Sequence, residues 1–518
     1  MAAAPAADPP TGSPLPSLES ILRARVYDVA IESPLEPARR LSQQLGQTIL
    51  LKREDLQPVF SFKLRGAYNR MSSLTEDERQ RGVICSSAGN HAQGVALAAE
   101  KLGVAATIVM PTTTPEIKVE AVERLGGTIV LAGDTYDDAQ TEAHRRAREG
   151  QLTFIHPFDD ADVIAGQGTI GMEILRQCSP PPAAVYVPIG GGGLAAGIAL
   201  YIKTVHPDVQ VVGVEPEDAA SMTAAFEEGQ PITLDHVGNF ADGVAVRRVG
   251  DLTYRLCREH LDRIVRVGTD QTCSAIRDIF RDTRSIVEPA GALAVAGLLA
   301  DGERPAGPLV ALNCGANVNF DRLRHVAERA DIGAQREALF GVEIPDRPGS
   351  FLDFCKVLGE RQVTEFNYRY SGPGTARIFV GVETGSPLIT QQLVTALEGA
   401  GYPTTDLSAD AMAKTHVRYM VGGTAALGDE VLYRFEFPER RGALLGFLER
   451  VGVRWNISLF HYRNHGSDFG RVLVGVQVPP ADRAELARHL EQVGYPHWDE
   501  SENPAYALFL ARDEEDAS

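Results

Sequence analysis

The sequence has little lysine. Lys52, Lys63, Lys101, Lys118, Lys203, Lys356 and Lys414 are all there is, and arginine supplies the other cations. Chemistry that needs a side-chain amine therefore has few candidates. Positive charge is also short: the formal charge is −19 at pH 7. A general nucleic-acid binder needs a concentrated basic surface, so that class is excluded. No apolar run is long enough for a membrane span, the longest being stretches such as Ala290–Ala300. Six cysteines (Cys85, Cys178, Cys257, Cys273, Cys314 and Cys355) are scattered, with no CxxC pair and no metal-ligand cluster. That pattern suits a reducing cytoplasm better than a disulfide framework. The start, Met1–Ser17, is rich in Ala and Pro and lacks both an early basic region and an apolar core. It reads as a disordered tail, residues 1–17, rather than a signal peptide.

What is present is a chain of 518 residues, too long for one ordinary core. Between Leu18 and Asn319, short runs rich in Val, Ile and Thr alternate with longer amphipathic stretches. The runs are Thr48–Lys52, Gly82–Ser86, Ala106–Met110, Thr128–Leu131, Ala184–Pro188, Val209–Val214 and Leu309–Leu312. Strands followed by helices in this way predict an α/β domain with a largely parallel sheet. Its ligands are expected in the loops beyond the carboxyl ends of the strands. The character changes near Ala334, and Leu339–Thr384 resembles Tyr433–Val478 in register. Glu343-Ile-Pro-Asp-Arg-Pro-Gly349 matches Glu436-Phe-Pro-Glu-Arg-Arg-Gly442, and Phe366-Asn-Tyr-Arg369 matches Phe460-His-Tyr-Arg463. Each copy predicts a strand, a turn, a helix and two strands in an α+β repeat.

Four motifs suggest chemistry. In Ser61-Phe-Lys-Leu-Arg-Gly-Ala67, a lysine has an aromatic neighbour, Phe62, able to pack beside a cofactor ring. An amine that bonds an aldehyde cofactor must be desolvated enough to be neutral, which makes Lys63 a candidate. In Ser86-Ser-Ala-Gly-Asn-His91, small residues follow a strand and open a helix, presenting N–H groups to a carboxylate. Ser87, Ala88, Gly89, Asn90 and His91 are thus candidates for an amino-acid substrate. Asn90 could also bond a ring oxygen, and His91 reads equally as structural or as a proton carrier. Gly190, Gly191, Gly192, Gly193 and Leu194 follow the third motif's strand, where backbone amides can crowd round a phosphate. No Gly-Lys-Ser/Thr follows, so this is not a Walker loop. The fourth motif, Asn313-Cys-Gly-Ala-Asn317, ends the last core strand with a thiol, Cys314, able to face a pyridine nitrogen.

In this order the motifs resemble the fold-type II pyridoxal-phosphate (PLP) enzymes, the tryptophan-synthase β-like group, and within it the serine/threonine dehydratases. Phe240-Ala-Asp-Gly-Val-Ala-Val246 and Glu288-Pro-Ala-Gly-Ala292 extend the likeness. Thr364–Arg369, His416–Gly423 and Trp455–His465 resemble the regulatory part of biosynthetic threonine deaminase. The resemblance implies a two-lobed catalytic domain with mostly parallel sheets over residues 18–330, its smaller mobile lobe at about 53–155. A neck at 331–338 would lead to two ACT-like modules, 339–425 and 430–513. It further implies Lys63 as the Schiff-base lysine, Asn90 on the ring oxygen, residues 190–194 on the phosphate, and Cys314 where many relatives have serine. L-threonine is the expected substrate and L-serine a second one. Isoleucine and valine are the expected effectors, Tyr368 and Tyr462 their candidate contacts, and a homotetramer the expected assembly. A same-fold rival is serine racemase, threonine synthase or a cysteine-forming synthase. A rival from another class is a non-catalytic amino-acid sensor.

Overall fold

The computed structural model describes residues 15–503, except 115, 239, 321, 334–336, 370–374, 411–412, 414–428, 439–442, 452–453 and 464–468. Most of the tail, the transition at Ala334, the His416–Gly423 motif and the end of Trp455–His465 lie outside the described residues. The chain divides into two compact units, Met1–Ala330 and Asp331–Ser518.

The first unit holds two sheets. The smaller has four parallel strands in the order Thr128–Leu131, Ala106–Met110, Val83–Ser86, Thr153–Phe154. The larger has six, Leu35–Pro37, Ile49–Arg53, Leu309–Asn313, Ala184–Pro188, Gln210–Pro216 and Arg263–Val267. Only the first of these pairs antiparallel. This is the two-lobed, parallel-sheet catalytic fold. Central strands such as Val83–Ser86, Ala184–Pro188 and Leu309–Asn313 are buried throughout, because helices cover both faces. Three strands begin one residue later than the sequence suggests, at Ile49, Val83 and Gln210. Gly82 takes φ +91° to end the preceding helix, and the Val209 N–H closes a turn on the His206 carbonyl.

Helices Lys63–Ser72, Asn90–Leu102 and Ala161–Gln177 meet through residues without side chains. A Cβ on Gly94 would stand 3.0 Å from the Leu64 nitrogen, and one on Gly166 would stand 2.8 Å from the Arg65 carbonyl oxygen. Beneath the Lys63 helix lies a buried charge cluster with two cations and two anions. Arg65 binds Glu54 at 2.8 Å and Glu173 at 2.6 Å, and Lys52 binds Glu173 at 2.6 Å; all four side chains are fully buried. This cluster ties the end of strand Ile49–Arg53 to two of the three helices.

The second unit is a single antiparallel sheet of eight strands with helices packed on it. Its two halves repeat. Strand Glu337–Pro345, helix Ser350–Leu358 and strands Val363–Arg369 and Thr375–Glu383 correspond to Glu430–Pro438, Ala443–Val451, Asn456–Arg463 and Phe469–Gln477. Each half adds a helix and a short strand that the sequence reading left out: Pro387–Gly399 with Thr404–Asp406, and Arg483–Val493 with His497–Asp499. The likeness reaches single hydrogen bonds. A bulge at Thr364 lets its hydroxyl meet Glu337, and a bulge at Ser458 lets its hydroxyl meet Glu430. The halves join where Val363–Arg369 pairs with Asn456–Arg463, Phe366 lying opposite Tyr462 and Tyr368 opposite Phe460.

Candidate active site

Lys63 is the first residue of its helix, so its side chain leaves from the helix mouth. The chain reaches it through Phe60, whose φ of 55° turns the backbone so that Ser61 bridges to Gly315. The Phe62 N–H then donates to the Cys314 carbonyl at 3.2 Å. The Lys63 amine donates to the Pro157 carbonyl at 2.9 Å and lies 5.4 Å from the centre of the Phe62 ring. Part of the side chain is accessible, yet protein surrounds the ammonium. Burial lowers its pKa to about 8, against the opposing pull of Cys314 and Glu288.

One residue beyond Pro157, Phe158 packs on the glycine loop. A Cβ on Gly191 would stand 2.2 Å from that ring, and one on Gly193 would stand 2.7 Å from the Phe158 carbonyl. Gly192 has φ +97° and caps helix Gly193–Val205 with no side chain. The Gly191 carbonyl accepts from Thr253 Oγ1 at 2.6 Å, and the Gly192 carbonyl accepts from Cys257 Sγ at 3.7 Å. In a trans peptide the next N–H points the opposite way, so the Gly192 and Gly193 N–H groups turn from helix Asp251–His260. Together with the free N–H groups of the first helical turn, they form a nest for an anion.

The Ser87–His91 loop opens helix Asn90–Leu102 with Gly89 as its cap. Ser87 Oγ accepts from the Gly89 N–H at 3.2 Å, and Ala88 and Gly89 are part-accessible. Asn90 Nδ2 donates to Glu288 at 2.7 Å and its Oδ1 accepts from Asn317 at 2.7 Å. His91 is buried and its Nε2 lies 2.9 Å from the Ile155 carbonyl. A carbonyl only accepts, so Nε2 holds the proton; burial and then the Lys63 charge lower the ring's pKa to about 3. Cys314 is buried, its thiol donates to the Ala290 carbonyl at 3.4 Å, and burial pushes its pKa well up, so it stays neutral.

Two residues here escaped the sequence reading. Glu288 is fully buried within the field of Lys63, and burial followed by Asp242 pushes its pKa up to about 7. The Glu-Pro-Ala-Gly motif held it in plain sight, but nothing local marks that glutamate as facing Asn90. His156 is likewise within the field of Lys63, with its pKa lowered to about 3 by burial. Its Nδ1 accepts from the Asp159 N–H at 2.7 Å, which leaves the proton on Nε2.

Tyr368 and Tyr462 lie in the second unit, buried in its core. The Tyr368 hydroxyl donates to Asp346 at 3.0 Å.

These residues fit pyridoxal phosphate: a desolvated amine, a nest that any Cβ would fill, an amide and a neutral thiol are linked through Pro157–Phe158 and Glu288. Comparison with known proteins agrees. Residues 26–315 match the family model for pyridoxal-phosphate dependent enzymes. Residues 328–417 and 421–510 each match that for the C-terminal regulatory domain of threonine dehydratase. The chain is 55% identical to L-threonine dehydratase biosynthetic IlvA of Burkholderia multivorans over 95% of its own length and 99% of that protein. It belongs to the biosynthetic threonine dehydratases. Among solved structures, the processed form of threonine deaminase isoform 2 from Solanum lycopersicum is 51% identical, with a TM-score of 0.60, over 61% of this chain and 87% of that one. Maize serine racemase is 30% identical, with a TM-score of 0.58, over 60% of this chain and 97% of that one. The chain thus shares its catalytic fold with a racemase and carries a duplicated regulatory unit besides. No described helix is long and apolar enough to cross a membrane.

Proposed function

We propose that the chain dehydrates and deaminates L-threonine to 2-oxobutanoate and ammonia, the committed step toward isoleucine, with isoleucine as its inhibitor. The observation that supports this most is the desolvated Lys63 amine, bonded to the Pro157 carbonyl next to the Phe158 that packs on the glycine nest. Lys63 would hold the cofactor, residues 190–194 its phosphate, Asn90 its ring oxygen, with Phe62 beside it and Cys314 toward its ring nitrogen. When bound, the cofactor supplies a sink for the electron pair left at Cα. The N–H groups of Ser87–His91 grip the substrate carboxylate at the positive end of their helix. The Lys63 amine, neutral above about pH 8, takes the proton from Cα. A neutral thiol at Cys314 donates weakly and leaves the ring nitrogen largely unprotonated.

In this reading catalysis belongs to residues 18–330, with the smaller lobe at about 53–155, and control to modules 339–425 and 430–513. Isoleucine and valine bind there near Tyr368 and Tyr462, valine counteracting isoleucine. The enzyme acts as a cytoplasmic homotetramer, and L-serine is a second substrate. Racemisation is the lesser reading, because the chain is 30% identical to the serine racemase but 55% identical to a biosynthetic threonine dehydratase over 95% of its length.

The test incubates the holoprotein with threonine or serine and follows 2-oxoacid formation with and without isoleucine. The expected result is 2-oxobutanoate from threonine, with a saturation curve that isoleucine shifts. Absence of the oxoacid, or a Lys63→Ala protein that keeps both colour and turnover, refutes the assignment. An unmoved curve refutes the control.

A further inference from the structure

The hydrogen bonds around Asn90 form a chain whose direction is fixed at one end. Asn317 Nδ2 lies 2.9 Å from the Val59 carbonyl oxygen, which can only accept, so that atom is the nitrogen. The same nitrogen lies 2.7 Å from the next atom, which must therefore be the oxygen of Asn90. The Asn90 nitrogen is then forced to the other side, where it meets Glu288 Oε1 at 2.7 Å. Glu288 is held in turn. Its carboxyl accepts the Asn317 backbone N–H, and its own N–H donates to the Gly315 carbonyl at 3.1 Å. A Cβ on Gly315 would stand 2.3 Å from Glu288 Oε1 and 3.3 Å from Asn90 Nδ2, so only glycine admits this contact.

We propose that Glu288 and Asn317 are positioning residues that lock the Asn90 amide with its oxygen occupied and one N–H left to donate to the cofactor. This rests on the assignment of Asn90 to the cofactor made above. A free asparagine amide can turn over and present its oxygen. An acceptor facing the ring oxygen would repel it, whereas a donor stabilises the negative charge that oxygen bears. The lock excludes the wrong face.

The arrangement depends on Glu288 accepting. Its surroundings hold it near the point of change, with the pKa pushed up to about 7. Asp242 from the 3-10 turn Asp242–Val244 and the thiol of Cys314 face it with negative or latent negative charge. Lys118 from helix Glu116–Glu123 and Lys63 face it with positive charge, and Asn90 donates to it. The Lys118 amine itself lies 2.9 Å from Asp242. Once protonated, Glu288 has a hydrogen of its own to place and competes with the Asn90 N–H.

The test compares wild type with Glu288→Ala, Glu288→Gln and Asn317→Ala. Each is titrated with pyridoxal phosphate by equilibrium dialysis, and the visible absorbance of the bound cofactor is followed from pH 6 to 9. Asn317→Ala keeps the backbone N–H to Glu288 and removes the side-chain bonds to Asn90 Oδ1 and the Val59 carbonyl, so it frees the Asn90 amide while leaving Glu288 in place. The expected result is about tenfold weaker cofactor binding in Glu288→Ala and Asn317→Ala, as for loss of a hydrogen bond to a charged group. Their absorbance maximum should also move, and Glu288→Gln should lose the wild-type absorbance change near pH 7. Wild-type affinity and spectrum in Asn317→Ala overturn the proposal, even if Glu288→Ala fails to fold. A wild-type chain that takes up no cofactor overturns the function assigned above instead, so the two failures are distinct.

Discussion

Lys63 combines a short helix start, a neighbouring carbonyl and a crowd of protein atoms, and its basicity follows from that crowd. With a pKa lowered to about 8, the amine is mostly protonated at pH 7 and mostly free at pH 9. The cofactor-free protein should capture pyridoxal phosphate faster as pH rises through about 8 and level off above it, read by stopped-flow absorbance. A rate that keeps climbing to pH 10 would mean an ordinary, solvated lysine. Gly191 gives a second test at this scale, since its missing Cβ is what lets Phe158 approach. Gly191→Ala forces an overlap costing about 1–3 kcal/mol, or roughly five- to a hundredfold in cofactor retention. The cofactor-to-protein ratio after gel filtration measures it. Lys63 and the glycine run were legible because their chemistry needs several special residues in a row. Glu288 and His156 were not, because what makes them special is a neighbour far along the chain. Glu288 meets Asn90 across 198 positions.

Among the elements, the helix that starts at Lys63 is held from below by charge. Arg65, two residues on, lies between Glu54 and Glu173 with no access to water. Arg65→Met leaves two buried carboxylates facing Lys52 alone, and removing one partner of a buried pair costs about 3–5 kcal/mol. The first urea transition of the cofactor-free protein should move to distinctly lower denaturant. Arg65→Lys should restore little, because one ammonium cannot repeat the guanidinium's bonds to Glu54, Glu173 and Thr169. Alternating strands and helices were plain in the sequence, since strands buried on both faces are almost wholly apolar. The last helix and strand of each repeat were not. Thr404–Asp406 and His497–Asp499 are three-residue edge strands, too short to show a period.

For the whole molecule, the division into two units predicts separable roles. Helix Arg322–Gly333 contributes Val326 and Ala330 to the first unit's core, so a truncation has to keep it. A chain ending after Gly333 should bind cofactor and make 2-oxobutanoate, with a threonine saturation curve indifferent to isoleucine. A curve that still shifts would place the effector within the first unit. The second unit has no such cutting point. Its halves meet strand to strand, backbone hydrogen bonds crossing from Val363–Arg369 to Asn456–Arg463. A gene shortened to one half would leave that inner strand as a bare rim of unsatisfied N–H and C=O groups, open to the first matching strand it meets. Such a fragment should dimerise through that rim or precipitate, and the duplication can therefore be inherited only whole.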